Sequence, residues 1–101
     1  MIVINATLPI DPDQRDQALE LIQKTAAQYR EDDGTIEFQA STDIDNPNHV
    51  NFFECYEDEA ALEQHRQSDH YEEFGRSIAE FLVGKPEITR YDVESTTEIE
   101  V

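Results

Sequence analysis

Ile2, Ile4, Ala6 and Leu8 alternate with Val3, Asn5 and Thr7 at the start of the chain, the period of a strand with one buried face, and Pro9 ends the run. Asp11 then precedes Pro12, which is pre-set for a first helical turn, and Gln14 stands where a capping-box partner would reach back. The helix so opened shows Ala18, Leu19, Ile22, Ala26 and Tyr29 at helical spacing, and Gly34 closes it. A second alternation follows, Ile36, Phe38 and Ala40 against Glu37, Gln39 and Ser41. After turn chemistry from Asp43 to Asn48, the run from Val50 to Tyr56 is β-rich and aromatic. Asp58 caps a short helix with Ala60, Ala61, Leu62 and His65, which Gln67-Ser68-Asp69 interrupts. Asp69, with Glu72 three positions on, opens a further helix whose apolar positions are Phe74, Ile78, Phe81 and Leu82. Gly84 and Pro86 stop it, Ile88 to Val93 reads as a fourth strand, and Ile99 to Val101 can add a short pairing.

Strand-helix-strand occurring twice predicts one α+β domain over residues 1–101, with its core at about residues 2–93 and a tail from 94. The plan is ferredoxin-like, βαββαβ, with one antiparallel sheet and its helices on one face. Val3, Asn5 and Thr7, with Glu37, Gln39 and Ser41, fall on the other face, and the third strand is aromatic on both, Phe52 and Tyr56 against Phe53. A half-apolar sheet face is poorly suited to water. Two copies facing each other sheet to sheet, a homodimeric α+β barrel with a small molecule inside, would solve this.

Composition narrows the partners. The chain has 24 Asp or Glu and 7 Lys or Arg, a formal net charge of −17. Neither nucleic acid nor an anionic membrane surface gains from meeting such a surface, so both are excluded. The acidity is spread along the chain and only two of the cations are Lys, the pattern of a solvated surface in a high-salt cytoplasm, as in a halophile. Cys55, the lone cysteine, fits a reducing compartment, and the apolar start breaks at Asn5, far short of a signal core or a spanning helix. A cytoplasmic location is expected.

Chemistry-bearing residues are few. The three glycines stand apart, so no phosphate-cradling loop supports a nucleotide or flavin, and no cofactor is expected. No metal is expected either. His65 and His70 are five residues apart, about 140° around a continuous helix, and would not converge as an i, i+4 pair does. Asp43, Asp45 and Glu54 fall on calcium-loop positions, but Pro47 and Asn48 occupy places needing a ligand and a glycine. His65, at a helix end, is the candidate base for a phenolic proton. His70 is a packing or substrate-contact residue, and His49, after a polar turn, is solvated. Asn5 would orient a substrate hydroxyl or an oxygen species, while Glu54 and Arg90 are candidate cavity groups that could pair there, a surface ion pair being the other reading for Arg90. Phe52, Tyr56 and Phe74 would wall it.

The segment from Phe53 to Phe74, with its Glu54-Cys55-Tyr56 strand end, acidic Asp58, Ala61-Leu62, His65 and Ser68-Asp69-His70-Tyr71, resembles the antibiotic biosynthesis monooxygenase family. The helix-Gly34-strand segment and the turn with Asp45 and Pro47 are similar to it too, so the likeness spans residues 2–93. The resemblance implies a dimeric α+β barrel and, as in several members, oxidation of a quinol or polycyclic phenol by O₂ without metal or cofactor. His65 and Asn5 would then be catalytic, with Glu54, Arg90, Phe52, Tyr56, His70 and Phe74 binding the small aromatic substrate. The family also holds haem-degrading members, whose strand-1 Asn resembles Asn5 by position. They carry Trp where this chain has His65 and His where it has Gly75, leaving His70 as the axial candidate. A sugar-phosphate isomerase belongs as well, though few cations here would neutralise a phosphate. A non-catalytic dimer that binds small aromatics is the remaining alternative.

The charge balance makes a direct prediction. Raising KCl from about 0.1 M to 1 M shortens the screening length from roughly 10 Å to 3 Å. The thermal unfolding midpoint, followed by circular dichroism, should therefore rise clearly over that range.

Overall fold

The alternating N-terminal run becomes β1 (Ile2–Pro9), and the two later runs become β2 (Thr35–Thr42) and β3 (His49–Tyr56), with β4 at Glu87–Asp92. In this computed structural model, which describes residues 1–101, they form one antiparallel sheet in the order β2-β3-β1-β4. The helices are α1 (Arg15–Arg30), α2 (Glu59–Arg66) and α3 (Asp69–Ile78). The fold is α+β and ferredoxin-like, as the element order predicts.

Register sorts the faces. Ile4 lies opposite Glu54 on β3 and Arg90 on β4, and Ala6 opposite Phe52 and Ile88, so these side chains share the helix-covered face. Asn5 lies opposite Phe53 and Thr89, and Val3 opposite Cys55 and Tyr91, which puts all of these on the bare face. The aromatic third strand therefore splits cleanly, with Phe52 and Tyr56 inside and Phe53 outside.

Two apolar clusters form under the helices. The larger joins Ala6, Leu8 and Ile10 to Ala18, Ile22 and Tyr29 of α1, to Phe38, Val50 and Phe52, and to Phe74 and Ile78 of α3. The smaller joins Ile2, Ile4 and Tyr56 to Ala61 and Leu62 of α2. No helix is long and apolar enough to cross a membrane.

Four local expectations change. Pro12–Gln14 forms a separate 3-10 turn in which Asp11 caps the Asp13 N–H, and Gln14 makes no side-chain cap. A register shift between Thr35 and Glu37 turns Ile36 outward, 51% exposed, because the bulge absorbs one residue before Phe38 regains the core. Ser68 caps α3 by accepting from the Tyr71 N–H, which leaves Asp69 as the first helical residue. Finally, Ile99 and Val101 are exposed and pair with nothing; the last sheet-edge contact is the Val93 N–H donating to the Met1 carbonyl.

Gly34 has φ +81°, a left-handed conformation that side chains resist. A Cβ there would run into Ala61 of α2, so the glycine also lets α2 pack close to the start of β2. Gly34→Ala should lower unfolding stability by about 2 kcal/mol or more, the sum of backbone strain and overpacking. Denaturant unfolding checks this, and a cycle with Ala61→Gly should show coupling between the two sites.

Candidate active site

A cavity of about 270 Å³ opens between the two apolar clusters, under the helices. Ile4, Ala6 and Leu8 of β1, Phe52 of β3, Leu62 of α2, and Phe74 and Ile78 of α3 form its apolar walls, and Ile88 and Pro86 close one side. The sequence reading placed the cavity between two facing sheets. The cavity found lies on the other side of the sheet, between inward-facing residues of β1 and β3 and the helices α2 and α3. Asn5 therefore does not join the site; its side chain is exposed on the bare face.

His65 stands at the last turn of α2, lines this cavity and is only 2% exposed. Its Nδ1 lies 2.8 Å from Asp32, in the loop between α1 and β2. The break after α2 brings a second imidazole to the same carboxylate. Ser68 donates to the His65 carbonyl at 2.7 Å and caps the next helix, so the chain turns and His70 Nε2 comes within 2.8 Å of Asp32. An ionised carboxylate can only accept, so His65 carries its proton on Nδ1 and leaves Nε2 as a bare acceptor. That Nε2 is buried and has no hydrogen-bond partner.

Burial pushes the His65 pKa below its ordinary 6.5, and the hydrogen bond and charge of Asp32 pull part of the way back. The Tyr29 ring packs at right angles to the imidazole with centroids 4.4 Å apart, and the Tyr56 and Tyr71 ring centroids lie 5.2 Å from it, so aromatic rings enclose the base. Glu54 accepts from the Tyr56 hydroxyl at 2.6 Å. Burial raises the Glu54 pKa, while the Tyr56 bond and the charge of Arg66 oppose the rise. Burial, with Glu54 close by, also holds Tyr56 well above the tyrosine range. Arg66 lines the cavity and is the only Lys or Arg to do so.

The expected pairing of Glu54 with Arg90 is not formed. Arg90 reaches outward from the edge strand to Glu59 at 3.2 Å and Asp92 at 3.0 Å, a surface network away from the cavity. Four residues not singled out from sequence complete the site, Asp32, Tyr29, Arg66 and Tyr71. Asp32 sits in Glu31-Asp32-Asp33, where nothing local separates it from its solvated neighbours. Tyr29 has the spacing of any core position on α1.

The convergence of His65 and His70 corrects the expectation that they could not meet, which rested on a continuous helix. Their nitrogens and Asp32 lie within 4.8 Å of one another, a grouping that a divalent cation could use. Both N–O separations are 2.8 Å, shorter than the roughly 3.3 Å edge of a tetrahedron with 2.0 Å bonds, so hydrogen bonding accounts for the cluster as it stands. His70, the imidazole left for a haem iron, is occupied by Asp32.

The profile of the Antibiotic biosynthesis monooxygenase family matches residues 1–77. The chain belongs to this family. A Bacillus subtilis protein named "Putative monooxygenase YcnE" is 24% identical over 93 residues, covering 92% of this chain and 98% of its own. An uncharacterised Synechocystis protein, sll1783, is 27% identical over 95 residues, covering 94% of this chain; the chain spans only 65% of that relative's length. A solved structure from Deinococcus radiodurans superposes with a TM-score of 0.92 at 20% identity, covering 100% of both chains, a likeness of fold. The matched residues include β1, Asp32, His65 and His70, so the histidine cluster lies in the family's part of the chain.

Proton NMR across pH 4–8 checks the electrostatics. His65 should titrate below 6.5, and Asp32→Asn should lower it further, since Asp32 is the group that raises it. The sign for stability follows from linkage. The unfolded chain binds the His65 proton more readily, so this residue's contribution is complete above pH 6.5 and is lost as the pH falls from there through the folded value.

Proposed function

We propose that this protein is a cofactor-independent monooxygenase that oxidises a quinol or related phenol with O₂. The observation that carries the reading is the bare, buried Nε2 of His65 beside an apolar cavity, with the other ring nitrogen held by Asp32. A neutral imidazole of fixed tautomer at a water-poor site can take a phenolic proton and little else. The resulting phenolate passes one electron to O₂, and superoxide and the ring radical then recombine in the cavity at a ring carbon. The peroxide takes the proton back from His65, the O–O bond breaks, and water leaves. A quinol supplies all four electrons, so one O₂ gives one hydroxyquinone and one water, and no external reductant is needed. Asp32 stabilises the imidazolium, His70 steadies Asp32, and Phe52 and Phe74 wall the ring, while Tyr56, buried behind Glu54, does not line the cavity as the sequence suggested. Glu54 and Arg66 set the charge at the cavity edge. At about 270 Å³, the cavity suits a one- or two-ring substrate better than a larger polycycle.

In the same reading the bare sheet face is covered by a second copy. Phe53 and Tyr91 are exposed there, with Val3 between them on the neighbouring strand, and a homodimer would bury this patch. Asn5 is then an interface residue rather than a catalytic one.

Oxygen-electrode assays on metal-stripped protein at molar KCl, offered naphthohydroquinones beside a heat-killed control, test the reading. Uptake above control with one O₂ per quinone is expected, and His65→Ala with an unchanged circular dichroism spectrum should lower it about 100-fold. No uptake from folded protein would favour a binding role.

A further inference from the structure

Besides His65 Nε2, a second buried polar atom at this cavity lacks a partner, the hydroxyl of Tyr29. Both residues are 2% exposed, and neither atom has a hydrogen-bond partner within the protein. Their chemistry is complementary. Burial, with Tyr71, Glu54 and Asp32 adding to it, holds Tyr29 far above the ordinary tyrosine pKa, so the hydroxyl keeps its proton and is a donor. His65 Nε2 is an acceptor only, because Asp32 has claimed the proton on the other nitrogen.

We propose that Tyr29 and His65 form a hydroxyl-recognition subsite, in which one aromatic O–H donates to His65 Nε2 while its oxygen accepts from the Tyr29 hydroxyl. An ether or a quinone carbonyl can use only the Tyr29 half. A carboxylate would turn lone pairs toward the bare nitrogen, with Glu54 also at the cavity wall. The subsite thus prefers the reduced, protonated form of a phenolic ligand and releases the oxidised one. Tyr71 covers the two rings, 5.2 Å from His65 and 6.4 Å from Tyr29, and is itself 41% exposed, so it is the side chain that turns aside on entry. The subsite uses the same cavity as the proposed oxidation and makes Tyr29 the donor to the phenolate that His65 creates, but its binding preference does not depend on turnover.

Calorimetric titration of the full chain with 2-naphthol, 2-methoxynaphthalene and naphthalene separates the halves. Each hydrogen bond should contribute about three- to tenfold in affinity. The wild type should therefore bind naphthol tightest, the ether next and naphthalene weakest. Tyr29→Phe should weaken naphthol and ether alike and leave naphthalene unchanged. Equal binding of naphthol and ether by the wild type overturns the subsite, as does a Tyr29→Phe loss that is the same for all three ligands; the wild-type series decides even if the variant fails to fold. The graded series without O₂ uptake would keep the subsite and remove the oxidation, whereas uptake without the series would do the reverse.

Discussion

One carboxylate organises the functional half of this molecule. Asp32, in the loop that joins α1 to β2, takes an N–H from His65 at the end of α2 and another from His70 at the start of α3. Two adjoining helix ends are tied to a loop more than thirty residues away, and the tie works only because the helix breaks at Gln67-Ser68. A continuous helix would carry the two imidazoles to different sides. Gly34, two residues after Asp32, allows α2 to approach closely enough for the tie to form. The geometry of the base is therefore set by backbone devices that touch no ligand: a left-handed glycine, a serine cap and a chain reversal.

The same arrangement carries a cost in stability. A buried polar atom left without any partner costs on the order of 1–3 kcal/mol, and within the protein neither the Tyr29 hydroxyl nor His65 Nε2 has a hydrogen-bond partner. A small domain has only a few kcal/mol to spare, so two such groups at one cavity are a concession that function explains more readily than folding does. The core divides accordingly, into a cluster around α1 and a smaller one around α2, with the cavity between them.

The charge distribution separates surface from site. Most of the acidic side chains are exposed, and Arg76 and Arg90 are spent on pairs at the surface, while Arg15 and Arg30 donate to backbone carbonyls. Arg66 alone brings a full positive charge to the cavity. A ligand approaching this surface does best uncharged, in keeping with a neutral phenol that becomes an anion only after it is enclosed.

Much of this was legible in the order of residues. Period-two alternation, turn chemistry and caps located the four strands and three helices within a few positions, because those signals act between neighbours in the chain. The strand-helix repeat settled the ferredoxin-like plan, and of the residues singled out from the sequence Phe52, Glu54, His65 and Phe74 line the cavity, while Tyr56 is buried outside it. What lay beyond local pattern was which face of the sheet carries the cavity. Every strand has two faces, and only the packing of α2 and α3 chose the one with Glu54 and left Asn5 outside. Arg90 went to Glu59 for a similar reason, since an edge strand beside α2 offers a closer carboxylate than the interior does. Asp32 could not be told from Glu31 and Asp33, and Tyr29 could not be told from any other buried helix position. Their roles arise from contacts across more than thirty residues of chain, and such contacts exist only once the fold has closed.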